Sequence, residues 1–432
     1  MTNRFRSPLW TASLVASALI LAPLTAGAQS PPTQPPPDAP PPAPMTPAPS
    51  AEGAPNSYPM MGKTHEIMVA ENVWIKIGLQ AQVWADSSQD SNKQNGDDGG
   101  YVNNLFLRRA RMLFGMQVLK NVQIFFQTDS PNLGRATGSG AAGTKNLAGF
   151  ILQDAWGQIK FDQALYLRAG EIIVPLSRQL LASTTTFLTL DVGNTTGTAS
   201  AATGELNTRD YGVEITGFVL EDHLQYRLGV FSGLRNAPGV APAPVTLGAT
   251  NAPRVAAYVQ YELFDPEVST FVYGGQNFGK KKILAISAGF DFQKGNDVDP
   301  YYAFSGNVFL DWPLSGEANK AGGDTISALI QYIHFKGSET APSIAEQNDI
   351  LAEVAYYNKD ASIAVFGKFE GRFLAQGDNP LNQLWFGGGI RYIVQENICN
   401  FTLAYNRMQL SNKPDTRNDT NEFTLQMQFY YY

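Results

Sequence analysis

From about residue 71 to the end, apolar and polar side chains alternate in short runs separated by Gly, Asn, Asp and Ser. The C-terminus shows it most clearly. Phe423, Leu425, Met427, Phe429 and Tyr431 interleave with Thr424, Gln426 and Gln428. A period of two places these sets on opposite faces of a strand. Chain ends are usually solvated and loosely held, so a strand this aromatic needs neighbours. A closed membrane barrel supplies them, and aromatic residues collect at its lipid–water boundaries.

Sixteen segments repeat the pattern. They lie near 73–86, 103–117, 121–130, 150–161, 164–172, 208–220, 224–232 and 251–263. The others are near 282–293, 301–311, 323–337, 345–358, 361–374, 382–395, 398–410 and 420–432. Several connections after even-numbered segments are tight, such as Leu119-Lys120-Asn121, Phe161-Asp162-Gln163 and Gln395-Glu396-Asn397. Those after odd-numbered segments are longer: Asp86 to Asn103, Ser130 to Gly149, Ile173 to Asn207. Short periplasmic turns and long extracellular loops produce this rhythm, and an even strand count puts both termini in the periplasm. Two turns, Phe264–Lys281 and Pro313–Gly322, break it. A soluble β-sandwich also alternates but rarely reaches this many strands. The expected fold is all-β: a transmembrane antiparallel β-barrel of about 16 strands, with an N-terminal signal peptide and a Pro-rich tail.

Composition adds the compartment. Arg4 and Arg6 precede an apolar stretch from Leu9 to Leu24 and a small-residue site at Ala26-Gly27-Ala28, the pattern of a signal peptide over 1–28. Residues 29–70 are largely Pro/Ala-rich, favour extended polyproline II and read as a periplasmic linker. Residues 71–432 form the barrel. Only 16% of residues are charged, yet mean hydropathy is −0.18; one lipid-facing and one water-facing set of side chains account for both. Cys399 is the single cysteine, which excludes an intrachain disulfide framework, and with three histidines it leaves little material for a metal site. No cofactor and no nucleic-acid partner are expected.

Phe106-Leu107-Arg108-Arg109-Ala110-Arg111-Met112 resembles the FRRAR-like second strand of the phosphate-selective porin O/P family. Leu167-Arg168-Ala169-Gly170-Glu171 and Arg209-Asp210-Tyr211-Gly212-Val213 strengthen the likeness, which covers most of the barrel. The resemblance implies a sixteen-stranded porin in outer-membrane lipid, assembled as a homotrimer, with a long third loop folded into the pore. Ile173 to Asn207 matches that loop. It also implies that the aromatic C-terminus is read by the barrel-assembly machinery. Ile173 stands where many members carry lysine, which weakens phosphate selectivity in particular.

A barrel of this size leaves an aqueous channel. Arginine at the bilayer midplane costs about 2–4 kcal/mol, so parity assigns Arg109 and Arg111 to the lumen and Phe106, Ala110 and Met112 to lipid. Arg108 has the lipid parity and would snorkel to headgroups. The same test gives Arg168, Arg227, Arg254, Lys368, Arg372 and Arg391 as pore-lining, with Asp154, Glu214, Glu353 and Glu370 as lumen acids. One reading is a cationic run that lowers the entry barrier for anions. The other is that these arginines pair with the acids and brace the wall. Removing the signal leaves 29 basic and 38 acidic residues, but many acids lie in loops such as Asp97-Asp98. The expected function is passive diffusion of small ions and hydrophilic solutes, with anion preference resting on Arg109, Arg111, Arg168, Arg227 and Arg254. The alternative is a barrel serving as an adhesin or structural anchor with a plugged lumen. An enzyme is not expected, because His65, His223 and His334 show no triad-like spacing.

Overall fold

The structure is a computed structural model describing residues 66–89, 100–136, 145–147, 149–203, 208–234, 252–296, 298–375, 382–411 and 419–432. All belong to one compact unit, Pro55–Tyr432. The signal-peptide and Pro-rich-linker assignments lie outside these residues, apart from the last few linker positions.

Among the described residues there are seventeen strands. They run β1 (Ile67–Ala70), β2 (Val73–Gln89), β3 (Tyr101–Leu119), β4 (Val122–Asp129), β5 (Ile151–Lys160) and β6 (Tyr166–Ile173). Then come β7 (Arg209–Val219), β8 (Leu224–Phe231), β9 (Arg254–Glu262), β10 (Ile283–Gln293), β11 (Tyr301–Pro313) and β12 (Thr325–Lys336). The last are β13 (Gln347–Asn358), β14 (Ile363–Leu374), β15 (Asn382–Gln395), β16 (Cys399–Ser411) and β17 (Thr420–Tyr431). Each of β2 to β17 pairs antiparallel with the next, and β17 returns to β2 from Glu422↔Ser88 to Tyr431↔Leu79. The ring is a closed 16-strand barrel, and every predicted segment corresponds to one of its strands. The short β1 was not expected; it folds back on the start of β2, pairing Ile67 with Ile75.

Alternation does the sorting. On β10, Ser287, Asp291 and Gln293 are buried, while Ile286 and Phe290 are exposed on the outside. On β11, Ser305, Asn307 and Asp311 point in, and Phe304 and Val308 point out. Repeated around the ring, this gives an apolar exterior and a polar interior. In water so large an apolar belt would be an aggregation surface; in lipid it is the matched face.

Among the described residues, two connections turn inward rather than outward. One joins β6 to β7 and carries a helical turn, α1 (Asn194–Gly197), and a 3-10 turn at Thr198–Ala202. It crosses the lumen with Leu176, Leu181, Phe187 and Leu188 buried. Gly289 on β10 makes room for it, since a Cβ there would collide with the Leu176 carbonyl. The other joins β9 to β10 and is the irregular turn at 263–282. It rises from the short-turn side and meets the first insert: Tyr273 N–H donates to the Leu181 carbonyl at 2.7 Å, and Ser183 N–H to the Tyr273 carbonyl at 3.0 Å. The second irregular turn, 314–324, clamps its base, with Gly323 N–H donating to the Phe278 carbonyl at 2.9 Å.

Candidate functional site

Both inserts expose backbone carbonyls to the lumen, and these need donors once water is excluded. The wall supplies them through the arginines that parity had assigned inward. Arg391 on β15 donates to the carbonyls of Phe187 (3.0 Å) and Thr189 (2.7 Å). Arg254 on β9 donates to the Ala202 carbonyl at 3.0 Å and pairs with Asp291. Arg372 on β14 reaches the Asn194 carbonyl at 3.1 Å and Thr198 Oγ1 at 2.8 Å. Acids take the free N–H groups: Glu370 Oε2 accepts from Thr195 N–H at 3.0 Å while Lys368 pairs with Glu370 at 2.8 Å.

The second insert is held the same way. Arg227 on β8 donates to the carbonyls of Phe271 (2.9 Å) and Ser269 (3.3 Å). Arg168 on β6 donates to the Thr270 carbonyl, lies 4.5 Å from the Trp156 ring and faces Glu214 at 3.5 Å. Arg178, from the first insert, bonds Glu267 at 2.5 Å and the Gly274 carbonyl at 3.0 Å. Thus Arg168, Arg227, Arg254, Arg372 and Arg391 point inward and end on the inserts. Replacing Arg391 by methionine removes two charge-assisted bonds, each worth about 1.5–3 kcal/mol. Limited proteolysis should then cut within residues 177–203 markedly faster than in the parent, with the barrel intact.

Arg109 and Arg111 also reach the first insert, at Asp191 and Thr184, and with Lys368 they border cavities beside it. Among the described residues, three cavities lie along one side of the first insert. A vestibule of about 340 Å³ on the long-loop side is lined by Trp84, Arg108, Arg135, Asp191, Lys368 and Glu422, among others. A chamber of about 190 Å³ follows, sharing Arg108 and Val192 with the vestibule. Next to it lies a third cavity of about 30 Å³ between Gln80, Leu113, Gln127, Phe271, Val272 and Tyr430. Arg111, Ala182, Thr184 and Arg209 line both of the last two. Beside the third cavity, Phe271 packs against Phe125 (4.9 Å between centroids) and Trp156 (5.3 Å). Tyr432 closes the cluster edge-on to Phe125.

The chamber's cations are tied to acids. Arg108 Nε and Arg109 Nη2 both donate to Asp191, at 2.8 and 2.6 Å. Arg111 pairs with Asp129 at 3.0 Å and Arg209 with Asp154 at 3.2 Å. Burial pushes the Asp191 carboxyl up, but the two guanidiniums, the Arg109 hydrogen bond and the Val192 N–H outweigh it and hold it well below the usual carboxylate range.

Arg108 corrects the parity argument. The β2–β3 ladder shifts register between Gln82, opposite Arg109, and Val83, opposite Leu107. Arg108 is the extra residue of this β-bulge, so two successive arginines turn inward. The phase on its N-terminal side flips too: Phe106 is 4% exposed and lies inside, not in lipid, while Leu105 is 72% exposed. Three arginines within four positions of one strand were the available signal, since strict alternation cannot place all three in water. Arg209 was missed as a site residue although it stood inside a quoted motif. Lys280, Lys281 and Lys282 sit at the base of the inward turn, where Lys281 bonds the Pro266 carbonyl and Lys282 lies over Trp312.

No family model matches the chain, and no curated protein does. Solved structures do resemble it. An anion-selective porin from Comamonas acidovorans superposes with a TM-score of 0.55 at 11% identity, covering 83% of this chain and 100% of that one. OprB of Pseudomonas putida, in a high-pH structure, gives 0.53 at 9% identity, covering 83% and 94%. At these identities the likeness concerns the fold: the chain is a sixteen-stranded barrel of the kind found in outer-membrane porins.

Proposed function

We propose that this barrel is an outer-membrane diffusion channel for small hydrophilic solutes, with preference for anions such as phosphate or similar oxyanions. The run of neighbouring cavities along the first insert, sharing Arg108, Arg111 and Arg209 in their linings, carries the reading. Arg108, Arg109, Arg111 and Arg209 line its middle chamber. Against them stand Asp129, Asp154 and Asp191, so four cations and three carboxylates leave one net positive charge. In a narrow, low-dielectric passage that field is focused, enough to lower an entry barrier without trapping the solute. Phosphate in particular gains nothing from Ile173, which is buried in an apolar cluster. Export by residues 1–28, a periplasmic tether over 29–70, insertion through the assembly machinery and a homotrimeric state complete the proposal.

Reversal potentials in a salt gradient across a planar bilayer test it, with anion preference expected. Clear cation preference would sink it. A second reading, a barrel acting as an anchor with a plugged lumen, is favoured by the aromatic packing around Phe271. Purified protein that never shows stepwise conductance would favour that one.

A further inference from the structure

We infer that the middle chamber is a binding station for small organic carboxylates that carry an apolar body, rather than a passage equally open to any oxyanion. This rests on the lumen being an anion path, and deepens it by naming the class of solute.

The chamber has two unlike walls. The barrel side presents Arg108, Arg109, Arg111 and Arg209. The insert side presents an apolar patch of Leu180, Ala182, Phe187 and Val192 beside Gln179, Thr184 and Ser200, with Ile151 next to the cations. Leu180 and Phe187 are only 7% and 6% exposed, so their faces are fixed by packing and are not free to retreat. A small, fully hydrated dianion gains from the first wall but loses hydration against the apolar patch of the second, whose side chains return no hydrogen bond. A carboxylate with an alkyl or aryl body matches both walls at once. The donors are available: Arg108 uses Nε on Asp191, and among the described residues its two Nη groups have no hydrogen-bond partner. Arg108 also lines both vestibule and chamber, which places it where an entering carboxylate would first be held. Its position exists because of the bulge that turns it inward. The net single positive charge fits a monoanion better than a dianion.

The test is equilibrium titration of the full-length purified protein with acetate, butyrate, hexanoate and inorganic phosphate, followed by calorimetry. Affinity should rise along the carboxylate series by up to roughly fourfold per buried methylene, until the chamber is filled, and phosphate should bind more weakly than hexanoate. Phe187→Ser should flatten the dependence on chain length, and Ile151→Ser on the barrel wall should flatten it independently if the first variant does not fold. Arg108→Gln should weaken every carboxylate alike. A series without chain-length dependence, phosphate binding as tightly as hexanoate, or an unchanged slope in both serine variants overturns the inference. Reversal potentials on the same preparation separate the two levels: anion preference with a flat series overturns the station alone, whereas cation preference with no carboxylate binding overturns the anion path as well.

Discussion

Replacing Phe271 by alanine is expected to raise single-channel conductance several-fold. The cavity beside Phe271 and Tyr430 is the smallest of the three along the first insert, and constrictions with apolar lining restrict flow by excluding water as well as by size. Phe271 is 4% exposed and contacts both Phe125 and Trp156. Truncating a buried phenylalanine costs about 3–5 kcal/mol. That cost falls on the docking of the 263–282 turn, because the strand ladders of β9 and β10 do not pass through it. Thermal unfolding of the barrel should therefore move little while conductance rises. Unchanged conductance would show that the stopper is not the limiting element. Arg227→Met, which removes the donor to the Phe271 and Ser269 carbonyls, should act in the same direction through the same turn.

The second large effect concerns the sign of selectivity. Arg109→Met and Asp191→Asn should shift the reversal potential in opposite directions, the first toward cations and the second toward anions. Both change the chamber by one charge at the same ion pair, so a purely structural disturbance would move them together. Removing one partner of a buried pair also costs about 3–5 kcal/mol; Arg108 remains to hold Asp191 in the first variant and softens that cost. The pH dependence follows from the depressed Asp191 carboxyl. A group whose folded pKa lies below its unfolded value stabilises fully above the unfolded value, about 3.9 for aspartate, and loses this only as pH falls through the folded one. The contribution of this triad should stay constant from neutral pH down to about pH 4. A titration of its effect above that point, present in the parent and absent in Asp191→Asn, would contradict the geometry.

Much of this could be read before any coordinates. The period-two alternation and the long/short rhythm of the connections located all sixteen barrel strands, and the length of Ile173–Asn207 marked the first lumen insert. The break in rhythm at Phe264–Lys281 was visible too, but its direction was not. A turn of that composition can lie on the rim or enter the lumen, and only Tyr273 bonding Leu181, with Arg168 and Arg227 capping the carbonyls, draws it inward. Parity likewise put the lumen arginines on the correct face of their strands except near Arg108, because a bulge resets the phase and leaves no mark in the alternation itself.

The sequence by itself determined the barrel: strand number, the face that residues present away from the bulge at Arg108, and the closing of β17 against β2 follow from local periodicity and from the cost of an unpaired edge. The role of each inward arginine was decided by tertiary structure alone. A strand fixes only which side a guanidinium leaves from, whereas its partner, whether an insert carbonyl, a carboxylate or open water, lies tens to hundreds of residues away and is set by how the two inserts fill the lumen.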